Sequence, residues 1–293
     1  MPELSTPRRV TAPAIAAAKH GDAPLVMVTA YDAPSARVVD AAGADLILVG
    51  DSVAMVVLGY EDTLQVTTDD MVHHVAAVAR TRPGALVVAD LPWMSYHVGV
   101  DDAVRNAAAL VRAGAGAVKL EGGRKRLAVV RAILDAEIPV MGHLGLTPQS
   151  LHTLGGFKVQ GRDLEAARAI VDDAIALAEV GCFAVVLECV PDAVARLVTD
   201  SVEIPTIGIG AGRHCDGQVL VFHDLVGLED RIRPKFVRQY ADLAAEATAA
   251  VARFAEDVRT GRFPSSAETY HAADAVSDAL RVYGGSASEH APA

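Results

Sequence analysis

The stretch LVMVTAYDAPSARVVDAAGADLILVGDS, residues 25–52, contains one full cycle of the pattern that decides the fold. An apolar run opens it. A segment with apolar residues at three and four spacing follows Asp32 and stops at Gly43, and a second apolar run leads into Gly50, Asp51 and Ser52. Asp at the front and Gly at the end are helix start and stop signals. The run LILV shows no polar alternation, so that strand is buried on both faces, as in a parallel sheet covered by helices.

The same cycle recurs along the chain. Apolar runs stand at LVMVTA from 25, DLILVG from 45, LVVADL from 86, AVKLE from 117, IPVMGH from 138, FAVVLE from 183, PTIGIG from 205 and QVLVF from 218. Between them, TTDDMVHHVAAVAR, VDDAVRNAAALVRAG and LEAARAIVDDAIALAEVG read as amphipathic helices. Eight strands alternating with helices predict parallel pairing through right-handed crossovers and closure into an α/β (β/α)8 TIM barrel. A doubly wound open sheet is the competing architecture, but no G-x-G-x-x-G opens a helix after the first strand. GAGRHCDG, between the seventh and eighth runs, is too short for a regular helix. Thr11 to Ala18 is expected to form a short helix plugging the barrel bottom, and a long helical pattern, KFVRQYADLAAEATAAVARFAEDVRTG, follows Pro234. The expectation is a single barrel domain over 1–274, with a mobile tail over 275–293.

Composition narrows the function classes. Hydrophobic residues make up 52% of the 293 and aromatics 4%, so the core is built from Ala, Val, Leu and Ile. No apolar run approaches the roughly 20 residues of a membrane span. The amino terminus lacks an uninterrupted apolar segment followed by a cleavage site, so secretion is not expected. Cys182, Cys189 and Cys215 fit neither a disulfide framework nor a C-x-x-C metal spacing, which suits a cytoplasmic protein. A net charge of −11 opposes nucleic acid as a partner.

In such a barrel the carboxyl ends of the strands form the mouth that hosts the site. Strand two ends at Asp51 and Ser52, strand three at Asp90, strand four at Lys119 and Glu121, strand five at His143, strand six at Glu188. Two carboxylates about 4 Å apart repel by roughly 4 kcal/mol at an effective dielectric near 20, so Asp51, Asp90 and Glu121 need a cation or shared protons. Hard oxygen ligands with room for water favour Mg2+. Each acid taken singly also reads as a helix cap or an ion-pair partner. Lys119 and Glu121 alternate onto one side of strand four, where Lys119 is a Schiff-base nucleophile, a cation for a substrate carboxylate, or an internal counter-ion. His143 reads as a base, an orienting donor or a satisfied structural residue. Glu188, with no evident partner, suits general acid or base work. GIGAG, 208–212, reads as a ligand-approach loop or as packing; His73 and His74 as surface or interface residues; Trp93 and Tyr96 as an aromatic wall or rim cover.

The segments MVTAYDAPSARVVDAAGADLILVGDS, VVADLPWMSY, AVKLEGG, IPVMGHLGLTPQSLHTLGGFKVQGR, FAVVLECVP and IPTIGIGAGRHCDGQVLVFHDLVGL resemble the ketopantoate hydroxymethyltransferase family, in order from about residue 10 to 266. The resemblance implies a barrel of the phosphoenolpyruvate mutase/isocitrate lyase superfamily type. It implies transfer of a hydroxymethyl group from 5,10-methylenetetrahydrofolate to 3-methyl-2-oxobutanoate, giving 2-dehydropantoate for pantothenate synthesis. It further implies one Mg2+ per subunit at Asp51, Asp90 and Glu121. Keto-acid contacts then fall on Asp51, Ser52, Asp90 and Lys119, proton acceptance on Glu188, and site support on His143. A large homo-oligomer, with a decamer as the size to test, is implied too. Ala54 and Gln65 depart from the family pattern, where Gly and Pro are expected, and they touch loop geometry rather than chemistry. A reactive Cys in a K-x-C-G-H loop, which would favour a lyase or mutase on a 2-keto acid, is absent from the sequence.

Overall fold

A computed structural model describes residues 9–21, 23–229, 231 and 233–284. Eight parallel strands close in chain order: β1 (Leu25–Thr29), β2 (Leu46–Val49), β3 (Leu86–Asp90), β4 (Ala117–Glu121), β5 (Val140–Gly145), β6 (Ala184–Glu188), β7 (Thr206–Ile209) and β8 (Gly217–Leu220), which returns to β1. All eight expected strands are present, and the open sheet is excluded by the β1–β8 pairing.

Local chemistry explains the alternation. Asp32 caps Ala33–Ala41 by accepting from the Ser35 N–H at 2.8 Å, with Pro34 in the first turn. Thr67 and Asp70 form a reciprocal capping box on Thr68–Ala79. Leu164–Val180 starts at Asp163 and stops at Gly181, whose φ of +113° is a glycine conformation. The strands' outward residues Val49, Ala89, Leu120 and Leu187 join Met71, Leu110, Ile133 and Leu177 of the helices in one buried layer. Their inward residues Met27, Leu48, Val88, Met141, Val186 and Ile207 fill the barrel and share a second cluster with Ala12 and Ile15. Helix Ala12–Ala17 therefore packs against the barrel-interior cluster through Ala12 and Ile15. The loop between β7 and β8 carries no helix.

The chain divides into two compact units after Ala241. The second unit holds helix Leu243–Arg259, which buries no residue, a short turn at Ser266–Glu268 and helix Asp274–Gly284. The expected tail thus falls partly on that last helix, and residues 285–293 lie outside the described residues. The helix expected from Pro234 begins only at Leu243. Asp242 caps it, while upstream Tyr240 donates its N–H to the Leu225 carbonyl instead of to a helical partner. Among the described residues no helix is long and apolar enough to cross a membrane.

Candidate active site

Strand register sets the neighbours at the mouth: Asp90 lies opposite Lys119, Glu121 opposite His143, and Gly145 opposite Glu188. Ala117 belongs to the barrel interior, so Lys119 and Glu121, two and four residues on, point the same way. Asp51, Asp90, Lys119, Glu121 and His143 are all buried, and the Glu188 side chain is 18% exposed. The structure brings together every residue singled out at the strand ends. They line one cavity of about 450 Å3 with Ser52, Phe157, Asp224 and Phe236.

Lys119 Nζ lies 2.9 Å from Asp90 Oδ1 and 3.1 Å from His143 Nδ1. Asp90 Oδ2 accepts the Asp51 N–H at 3.1 Å. Burial first, then Asp90 and Glu121, push the Asp51 carboxyl well above its usual range. Burial also raises Asp90, against the pull of Lys119. For Lys119, burial works against the charge, but Asp90, Glu121 and Asp51 outweigh it and hold the ammonium protonated. A protonated, ion-paired amine is a cation for a substrate and a poor Schiff-base nucleophile. Close approach here needs Gly50, whose Cβ would stand 2.9 Å from Ser52 Oγ and 3.4 Å from Asp90 Oδ2.

His143 sits between two acids, with Nδ1 3.5 Å from Glu121 Oε1 and Nε2 3.2 Å from Glu188 Oε2. Burial and Lys119 lower its pKa, yet Glu121 and Glu188 prevail and push it up to about 9. Glu188 therefore has a partner that its sequence context did not disclose. It stands on β6, across the barrel from Asp51 on β2.

Gln149 was not anticipated. Its Nε2 donates to Asp51 Oδ2 at 2.8 Å and to the Leu91 carbonyl at 3.0 Å, its Oε1 accepts from Tyr96 OH at 2.6 Å, and its N–H donates to Glu121 Oε2 at 3.0 Å. The Leu91 carbonyl can only accept, which fixes the amide orientation. Tyr31 was also missed; its OH meets Ser52 Oγ at 2.8 Å. Tyr96 is buried beneath the site rather than forming a wall, and Trp93 is exposed and does not line the cavity. His74 Nδ1 lies 2.7 Å from the Tyr31 carbonyl oxygen, so it braces the barrel rim. In GIGAG, a Cβ on Gly208 or Gly210 would strike Cys215 or Phe236, which is a packing role.

Among the described residues no three His, Cys, Asp or Glu side chains form a ready cage around one point. Mg2+ does not require one, because it retains waters and uses one or two carboxylates. Asp51 and Asp90 fit that demand. They are adjacent hard oxygen donors, Asp90 Oδ1 has no well-aligned hydrogen bond despite Lys119, and the buried negative charge lifts Asp51. Glu121, held by the Gln149 N–H and His143, is a third carboxylate lining the same cavity.

The model of the ketopantoate hydroxymethyltransferase family matches residues 9–266. The 3-methyl-2-oxobutanoate hydroxymethyltransferase of Moorella thermoacetica is 57% identical, over 89% of this chain and 98% of that one. A protein of Bradyrhizobium diazoefficiens named 3-methyl-2-oxobutanoate hydroxymethyltransferase 2 is 54% identical, over 93% of each. Among solved structures, 2,3-dimethylmalate lyase, a PEP mutase/isocitrate lyase superfamily member, aligns with a TM-score of 0.52 at 17% identity, over 94% of this chain and 98% of that one. The phosphoenolpyruvate phosphomutase of Streptomyces platensis aligns at 0.56 and 16%, over 94% and 96%. These two share the barrel fold with this chain.

Proposed function

The chain belongs to the ketopantoate hydroxymethyltransferase family, and from that premise we propose that it moves a hydroxymethyl group from 5,10-methylenetetrahydrofolate to 3-methyl-2-oxobutanoate, giving 2-dehydropantoate for pantothenate synthesis. One observation carries the reading: a cation and paired carboxylates on β2–β4 face, across a single cavity, a β6 carboxylate set apart from them and held by His143. That division suits a substrate anchored at one end and deprotonated at the other.

The keto acid lies with its carboxylate and 2-oxo group toward Lys119, Ser52, Asp51 and Asp90. A divalent cation held by Asp51 and Asp90, with Glu121 lining the same cavity, would polarise the 2-oxo group and offset the negative charge that builds when the C3 proton leaves. Glu188 accepts that proton. His143, 3.2 Å away, steadies the Glu188 carboxylate and reaches back to Glu121, while Gln149 fixes the Asp51 carboxylate. Carbon C3 then bonds to the methylene carbon of the folate. Its two carbon–nitrogen bonds break in turn, one as C3 attacks and the other as water supplies the hydroxyl; both nitrogens take up protons, and tetrahydrofolate leaves. Three free cysteines suit a reducing cytoplasm, and a homo-oligomer follows the family.

Purified protein given both substrates is expected to form 2-dehydropantoate by mass spectrometry, to stop after chelation and to recover with Mg2+. Absence of product would defeat the reading. Turnover that survives chelation, with borohydride trapping keto acid on Lys119, would replace it with Schiff-base chemistry.

A further inference from the structure

The cavity is larger than an eight-heavy-atom keto acid fills, and its second half lies on the far side of the barrel. There the wall is the segment after β8, which stands opposite β4 and Lys119 in the strand order. Six acids line the whole cavity, and five have partners: Asp51 has Gln149, Asp90 has Lys119, Glu121 and Glu188 have His143, and Glu229 has Arg231 at 2.9 Å. Among the described residues, no hydrogen bond or ion pair reaches the sixth, Asp224.

Asp224 is half-buried, and burial first, then Glu229, push its carboxyl up to about 6. Its helix, Phe222–Val226, has only five residues, too few to compensate for that burial through a dipole. Yet the segment is firmly placed. Phe222 N–H donates to Thr29 Oγ1 at 2.9 Å, and the His223 ring packs 5.6 Å from Tyr31, whose hydroxyl contacts Ser52. A fixed, partly desolvated acceptor without a donor carries a cost that a ligand offering N–H groups would relieve. Phe236, against which Gly210 packs so closely that a Cβ would approach within 2.8 Å, adds an aromatic surface to the same cavity.

We infer that Asp224 receives the 2-amino-4-oxopyrimidine edge of the folate co-substrate, its two carboxylate oxygens accepting from ring N3–H and the 2-amino group. Two parallel N–H donors on a flat ring match a carboxylate as a guanidinium does. Phe236 then contacts the apolar face of the ring system. This inference rests on the one-carbon donor being a reduced folate. It makes Asp224 a specificity residue for that donor alone, with no part in deprotonating the keto acid.

The test separates the two readings. Calorimetry with tetrahydrofolate, and with an analogue bearing methyl in place of the 2-amino group, is run on wild type, Asp224→Asn and Asp224→Ala. Alongside, deuterium exchange at C3 of 3-methyl-2-oxobutanoate is followed with Mg2+ and no folate. Both variants should bind tetrahydrofolate at least tenfold more weakly and discriminate little against the analogue, which the wild type should reject by a similar factor. Steady-state KM for 5,10-methylenetetrahydrofolate should rise in step, while KM for the keto acid and the exchange rate stay within twofold. Tetrahydrofolate binding that is unchanged in the variants, absent in the wild type, or equally discriminating in both would overturn the assignment. Loss of C3 exchange in the wild type would instead fault the enolisation reading, and the calorimetry would still decide Asp224. Thermal melts of both variants guard against misfolding.

Discussion

Gln149→Met tests whether the Asp51 carboxyl is held by the amide that bridges it to Tyr96 and the Leu91 carbonyl. Met fills a similar volume, so the packing change is small. It removes a donor to the Asp51 carboxylate, a donor to the Leu91 carbonyl and an acceptor for Tyr96 OH. A hydrogen bond to a charged group contributes about 1.5–3 kcal/mol and each neutral one about 1, and all three sites stay buried, so the loss is about 3–5 kcal/mol. For a unit of this size, 1 kcal/mol moves Tm by roughly 2–4 °C, which places the variant's Tm roughly 10 °C lower. Melts by circular dichroism in EDTA would measure it. A double-mutant cycle with Asp51→Ala should return a coupling of about 1.5 kcal/mol or more, because half the network is already gone in that background. A Tm within about 3 °C of wild type, or additive losses in the cycle, would refute the bridging role.

Other consequences are more local. Gly50→Ala places a methyl 2.9 Å from Ser52 Oγ, so Ser52 must leave its 2.8 Å contact with Tyr31; KM for the keto acid should rise several-fold with Tm lowered by only a few degrees, and unchanged kinetics would remove Ser52 from the site. Asp224 has its folded pKa raised from 3.8 to about 6, so the folded chain retains a proton that the unfolded chain has released, and native stability falls as pH rises through that window. Asp224→Asn should therefore stabilise the protein at pH 7.5. The full shift is worth about 3 kcal/mol, but the half-exposed position screens it to about 1, and the gain should shrink toward zero as pH falls from 6 to 4 in urea titrations. A gain independent of pH would point to something other than the carboxylate.

The barrel was legible because parallel strands buried on both faces announce themselves as unbroken apolar runs, and all eight runs became strands. The strand-end acids were legible for the same reason, since Asp51, Asp90 and Glu121 each close a run. Gln149 was not, although it lies in the quoted stretch GLTPQS. Its partner Asp51 is 98 residues away, and nothing local marks a residue that will hydrogen-bond two acids, Asp51 and Glu121. Glu188 read as unpaired because its contact with His143 runs between adjacent strands, through a register that a single chain does not display. Residues 234–242 carry a helical pattern, but the Tyr240 N–H is used by the Leu225 carbonyl and Phe236 lines the cavity, so tertiary contacts override the local preference.

The account centres on Glu188 taking the C3 proton of a keto acid anchored by the β2–β4 residues. Proton NMR of 3-methyl-2-oxobutanoate in D2O with enzyme and Mg2+, and without folate, reads that step directly. Wild type should exchange the C3 proton, and Glu188→Gln, which keeps the shape and loses the base, should lower the rate by about 100-fold or more. A Glu188→Gln enzyme that exchanges at the wild-type rate would contradict the account.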